Sequence, residues 1–168
     1  MSSIIKITIG LLFSISSYGQ DRNLDRTISF RDSILLHNFW TDFTDAIERE
    51  NKEKLAALCE FPFSCRPCID DTTIKNNDHN TISVTKKLFF NSQFKEFFDK
   101  PMKDKVEKDK DFQTNFFYPA FDENNKRNGF MFSYTIVAPS KTWEGLQGFI
   151  YLNLIDSKFK ITGIDTVP

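Results

Sequence analysis

Apolar residues recur at helical spacing in the first part of this chain and at alternate positions in the last part. Leu36, Trp40, Phe43 and Ile47 follow one another at intervals of four, three and four, with Phe39 and Ala46 widening the stripe. That period predicts an amphipathic helix with Asp32 as its N-cap, closing over Glu48, Arg49 and Glu50. Asn51 is placed to cap a second short helix carrying Leu55 and Leu58. Pro62 cannot continue a helix, so the FPFSC segment around it reads as extended. Residues 69–80 form a polar loop, and Ile82 and Val84 alternate with polar neighbours as in a strand. Asn91 then caps a helix that groups Phe94, Phe97 and Phe98. The mixed charges from Asp99 to Asp111 read as a solvated helix or loop in preference to a docking loop.

The remainder is β-patterned. Residues 112–121 form one run, followed by a turn through Asp122 to Asn128. Phe130, Phe132, Tyr134 and Ile136 alternate with Met131, Ser133, Thr135 and Val137. Ile150, Leu152 and Leu154 then alternate with Phe149, Tyr151, Asn153 and Ile155. The triplet Asp156-Ser157-Lys158 is a tight hairpin turn into the final run FKITGIDTV. Helices followed by consecutive strands predict an α+β domain over residues 32–168, preceded by a polar lead-in at 20–31.

The first nineteen residues stand apart. Lys6 supplies a short positive region, Ile7 to Ile15 an apolar core, and Ser17-Tyr18-Gly19 small residues at the −3 and −1 positions of a cleavage site. Residues 1–19 therefore read as an export signal cut before Gln20. Its apolar stretch is well short of a bilayer span, which takes about 20 residues. No cysteine lies near the cut, so a lipid anchor is not expected. The mature chain is expected in the periplasm of a Gram-negative bacterium or secreted beyond it, with no membrane association after cleavage. With 19 Phe there is ample material for one core. The formal net charge of −1 comes with no block of Lys or Arg, which argues against nucleic acid as a partner.

The helix–helix–strand–helix–strands order, the segment FWTDFTDAI, the stretch LAALCEFPF and the hairpin FIYLNLIDSKFKITGI resemble the nuclear-transport-factor-2-like (cystatin-like cone) superfamily. They are most similar to its small secreted members of unknown function in Bacteroidetes-type bacteria, where a signal ending in YGQ is also at home. The resemblance spans residues 32–167 and implies a cone, in which a curved antiparallel sheet wraps around the long first helix and leaves a pocket at its open end. Members include isomerases, cyclases and dehydratases as well as non-enzymatic binding and dimerising modules, so the fold alone implies no activity.

The enzymatic members imply a carboxylate or His in an apolar pocket with a Tyr or protonated acid as partner. Asp122 and Asp165 have apolar neighbours but sit at turns or a strand end, Asp42 and Asp45 lie off the core stripe, and His37 is next to Leu36. None assembles into a catalytic set. Trp40, Tyr118, Tyr134 and Tyr151 are the candidate lining of a ligand pocket, with ordinary core packing the competing reading. His37 and His79 are the two histidines, too few and too far apart for a metal motif. No Gly-rich phosphate loop or GxSxG is present either, so no metal or cofactor is expected.

Cys65 and Cys68 form a CxxC that follows an extended segment and precedes two acids, unlike a redox site at a helix N-terminus. A structural disulfide is expected, Cys65–Cys68 first and Cys59 with either as the alternative. The expected role is non-catalytic: binding a small apolar ligand, or a protein partner such as a second copy through the sheet. The alternative is a pocket enzyme transferring protons on an apolar cyclic substrate, with thiol–disulfide exchange at CRPC as a third reading.

Overall fold

The structure, a computed structural model, describes residues 27–68, 81–122, 124 and 126–167. The segment expected to be an export signal, most of the expected lead-in, and the stretch 69–80 with His79 lie outside the described residues. Helix α1 (Phe30–Glu48) and the short α2 (Lys52–Ala57) lead into β1 (Cys59–Cys65) and β2 (Ile82–Val84). Next come α3 (Lys86–Asn91), a 3₁₀ turn at Gln93–Phe97, α4 (Lys100–Lys108) and a second 3₁₀ turn at Thr114–Phe116. Strands β3 (Tyr118–Phe121), β4 (Arg127–Val137), β5 (Leu146–Ile155) and β6 (Lys158–Val167) complete the chain. The fold is α+β, with a curved, unclosed six-stranded sheet in the order β2-β1-β6-β5-β4-β3.

The α1 stripe is buried as its spacing requires: Leu36, Trp40, Phe43, Ala46 and Ile47 are nearly inaccessible. They pack on the inward face of the sheet, where Phe130, Phe132 and Tyr134 alternate with outward residues of β4. Trp40 meets Phe132 edge-on at 5.4 Å and Phe117 at 5.8 Å. A second aromatic group, Phe63, Phe89 and Phe97, fills the space under β1 with T-shaped contacts of 6.0–6.4 Å. Such edge-to-face pairs add to plain area burial. Irregular registers within the β1–β6, β3–β4, β4–β5 and β5–β6 pairs supply the bends that let the sheet curve over α1.

Several local expectations are corrected. Helix α1 is capped by Ser29, whose Oγ accepts from the amide of Asp32 at 3.0 Å. Asp32 instead sits in the first turn, favourable to the helix dipole. Its carboxylate holds the Arg127 guanidinium at 3.2 Å. Asn91 ends a helix rather than starting one: Thr85 caps α3, and the chain tightens into a 3₁₀ turn that delivers Phe97 to the core. The charged stretch is a helix, one of the two forms expected for it: α4, capped by Asp99, is largely solvated but buries Met102 and Val106 along one edge. Only Tyr118–Phe121 of the 112–121 run is a strand, because Phe112, Phe116 and Phe117 turn inward onto the core. The sheet is antiparallel except where β1 runs parallel to β6, a pairing between the early and the last parts of the chain. The Asp156-Ser157 turn is as expected, with φ of 48° at Asp156 and 63° at Ser157. Positive φ at both positions is the geometry of a two-residue hairpin.

Gly148 faces Tyr134 across β4 and β5. A Cβ on Gly148 would lie 2.3 Å from two carbons of the Tyr134 ring, so the ring rests directly on bare backbone. Gly148→Ala is expected to cost about 1–3 kcal/mol through overpacking. Removing the ring as well, in Tyr134→Ala/Gly148→Ala, should cost less than the sum of the single changes. A denaturant-unfolding double-mutant cycle measures both, and strict additivity would refute the contact.

Candidate functional site

The four aromatic residues singled out as pocket lining do not converge on one cavity. Trp40 belongs to the core, 1% exposed, and its indole N–H donates to the Asp109 carbonyl at 3.0 Å, tying α1 to the end of α4. Tyr134 lies on the inward face, 5% exposed, at the border of a cleft beside α4. Tyr118 and Tyr151 are on the outward face. Tyr118 pairs with Met131, and Met131 with Tyr151, so the three form a row across β3, β4 and β5. Gly163 of β6 and Ser64 of β1 extend that row with small residues.

The candidate acids each have a structural task. Asp42 and Asp45 grip the Lys54 ammonium at 2.9 and 3.1 Å, joining α1 to α2. Asp122 accepts from the amides of Asn124 and Lys126, closing the β3–β4 turn. Asp165 holds the Arg66 guanidinium at 2.9 Å. His37 meets the Phe112 ring edge-on at 4.9 Å. Among the described residues no charged or polar side chain is fully buried.

Sequence reasoning missed one group. Burial holds the carboxyls of Glu96 and Asp99 above their ordinary values, and the charge of Asp99 raises Glu96 further. The Asp99 carboxylate is already engaged, capping α4 through the Met102 amide at 2.9 Å. Tyr134, buried nearby, has its phenol pushed up by desolvation and then by the charges of Asp99 and Glu96. Among the described residues the Tyr134 hydroxyl has no hydrogen-bond partner; Asp99 and Glu96 act on it by charge alone. The signal that could have located this cluster is the pairing of Asp99 with Pro101, a helix-start signature inside what reads as an unstructured charge run.

Two clefts border these elements. One, about 860 Å³, lies between α1, α2 and the β5–β6 hairpin, with Leu35, Phe39, Leu58 and Phe159 as its apolar floor and His37 and Lys54 at its rim. The other, about 590 Å³, lies between α4 and β4 and has mostly polar walls. Among the described residues no group of three His, Cys, Asp or Glu side chains could hold a metal ion. No described helix is long and apolar enough to cross a membrane.

Cys65 and Cys68 are bonded, with Cα atoms 5.4 Å apart, at the end of β1 and in the turn that follows. Neither stands at a helix N-terminus, the position that lowers a thiol pKa for exchange chemistry. Cys59 is free and buried; its thiol, donating to the Leu55 carbonyl at 3.4 Å, is pushed up to about 12 by desolvation.

Two outcomes follow from these environments. A carboxyl whose pKa is raised by folding binds its proton more tightly in the folded state, so its contribution to stability falls as pH rises from the ordinary carboxylate range through the raised value. Glu96→Gln should therefore flatten the pH dependence of stability above about 4.5 and raise stability at neutral pH, as followed by thermal unfolding across pH. An unchanged profile would count against burial of Glu96. Cys65→Ser should lower stability by about 2 kcal/mol, the loop-entropy value for so short a bridge. In the native protein at neutral pH, Cys59 should resist alkylation until the chain unfolds.

No family model matches the sequence, and no curated protein matches it. Among solved structures, the chain is similar to a designed nuclear-transport-factor-2-like protein, Rd1NTF2_05 with five substitutions, at 8% identity and a TM-score of 0.38, covering 79% of this chain and 96% of that one. It is also similar to a protein from Xanthomonas campestris described as a calcium/calmodulin dependent protein kinase II association domain, at 11% identity and a TM-score of 0.40, covering 83% and 87%. The overlap is loose in both cases, and the functional reading of this chain rests on its own geometry.

Proposed function

We propose that this protein is an exported, non-catalytic binding domain of the nuclear-transport-factor-2-like type, and that its partner seats on the outward face of the sheet. The observation that carries the reading is the row Tyr118–Met131–Tyr151, with Phe149 one pair further along, on the face opposite the one that packs on α1, where Tyr118 is exposed and the other three partly so. The opposite face is occupied by Trp40, Phe43, Phe117 and Phe132, whose rings fill the place where a cone would hold an apolar ligand. A second copy of this chain is the partner to test first, because an apolar row can meet its own two-fold image. Export is supported by the buried Cys65–Cys68 bridge, since such bonds persist in oxidising compartments.

A second reading, a small ligand with an apolar body, is favoured by the cleft under the β5–β6 hairpin, whose floor is apolar and whose volume suits such a molecule. The proton-transfer alternative has Glu96, Asp99 and Tyr134 as its available groups. Asp99 is committed to capping α4, and the nearby cleft has polar walls ill suited to an apolar cyclic substrate.

Sedimentation of the mature protein should show a dimer that Met131→Lys converts to a monomer while thermal stability changes by less than a few degrees. A wild-type protein that stays monomeric at high concentration, or an oligomer indifferent to the lysine, would move the function to the hairpin cleft.

A further inference from the structure

A different part of the sheet is open in a more specific way. Among the described residues the free edges include β2, the part of β1 before its pairing with β2, which carries Pro62, and on the other side β3 and the end of β4 beyond β3. Strand β2 is three residues long, and β3 is four residues long and carries Pro119, which has no N–H to offer. The pairing of β3 with β4 stops at Tyr118 and Met131, because the preceding Phe117 and Phe116 turn into the core. From Phe132 to Val137, β4 therefore pairs only with β5. This FSYTIV stretch is rich in strong strand formers and has neither Pro nor charge. Its backbone groups that point away from β5 have no hydrogen-bond partner among the described residues.

That edge forms one wall of the 590 Å³ cleft beside α4, where the consecutive residues Ser133 to Ile136 border it. Side chains alternate between faces, so a consecutive run that borders one space presents its backbone edge there, and Gln147 of β5, bonded to Thr135, reaches the same space over the sheet face. The other wall is a single flank of α4, including Lys100, Asp104, Lys105 and Lys108. Lys105 is held by Asp109 at 2.7 Å with both side chains largely covered. Lys100 shares only an exposed pair with Asp104, and Lys108 has no ion-pair partner among the described residues. The unpartnered hydroxyl of Tyr134 adds a donor at the same border.

We propose that this edge accepts an extended peptide segment of a partner protein by strand addition, and that the segment carries two carboxylates four residues apart. The spacing follows from the walls. Lys100 and Lys108 lie on one flank of α4, and their separation along the helix is about 12 Å. Residues four apart in a strand are about 13 Å apart and share a face. Backbone hydrogen bonds to β4 supply affinity without regard to sequence, and the two lysines select the acidic spacing. The site adjoins the outward face at Ser133, which pairs with Phe149, but uses neither Tyr118, Met131 nor Tyr151, so either reading can fail without the other.

The probe is a blocked octapeptide, TEVTVEVT, compared with TKVTVKVT and with two N-methylated forms of the acidic peptide, each blocking the amides of one edge. The acidic peptide should bind and slow hydrogen exchange at amides within Phe132–Val137, while the lysine peptide should bind at least tenfold more weakly. One N-methylated form should lose binding and the other retain it, since only one edge of an added strand faces β4. The surface variant Lys100→Glu/Lys108→Glu, checked for unchanged thermal stability, should reverse the charge preference. Any of three results would overturn the proposal: no binding of the acidic peptide at millimolar concentration, equal tolerance of both N-methylated forms, or protection outside β4. Protection of Phe132–Val137 that grows with protein concentration and excludes peptide would place a second copy on the edge, and would also overturn it.

Discussion

Trp40 is the contact on which the arrangement depends. Its ring stands edge-on to Phe117 and Phe132, which come from the lead-in to β3 and from β4, while its N–H fastens the carbonyl of Asp109 after α4. One side chain thereby positions α1, α4 and the β3–β4 half of the sheet. A buried indole needs a partner for its N–H, so the helix that supplies the carbonyl cannot drift without leaving that donor unsatisfied. The placement of α4 sets the roof over the open end of β4, and the inward turn of Phe116 and Phe117 toward Trp40 is what ends β3 early. The edge left open is thus a by-product of how the core is filled.

Elements whose pattern is local were legible in the sequence. The α1 stripe, the Asn51 cap, the alternation of β4 and the Asp156-Ser157 hairpin each follow from spacing or turn chemistry within a few residues, and each is present. What could not be read depended on partners far along the chain. Phe112, Phe116 and Phe117 look like strand residues until Trp40 is there to receive them. The α3 boundary fell differently because Phe89 and Phe97 both had to reach the space beside Phe63, and a helix broken into a 3₁₀ turn aims both rings inward.

The site was less legible than the fold for a similar reason. Tyrosines are chemically distinctive in the sequence, but which face each occupies depends on cross-strand register. Tyr118 and Tyr151 share a row only because β3 and β5 flank Met131 in phase, a relation absent from any one segment. The carboxyls that burial does perturb, Glu96 and Asp99, sit in a stretch whose composition reads as solvated. Their setting comes from α4 burying Met102 and Val106, two apolar residues too sparse to announce a packed helix among so many charges.

The parallel pairing of β1 with β6 has a temporal consequence. The final strand lies between β1 and β5, so it is the seam joining the early and late parts of the sheet. Before it arrives, β1 and β2 are a two-stranded ribbon with no link to the rest of the sheet, and so small a sheet is marginal in water without further packing. A chain delivered N-terminus first, from a ribosome or through a translocation channel, therefore cannot close its core in the order in which it appears. It stays threadable until its final strand is free, and then assembles both halves together through contacts of long sequence separation.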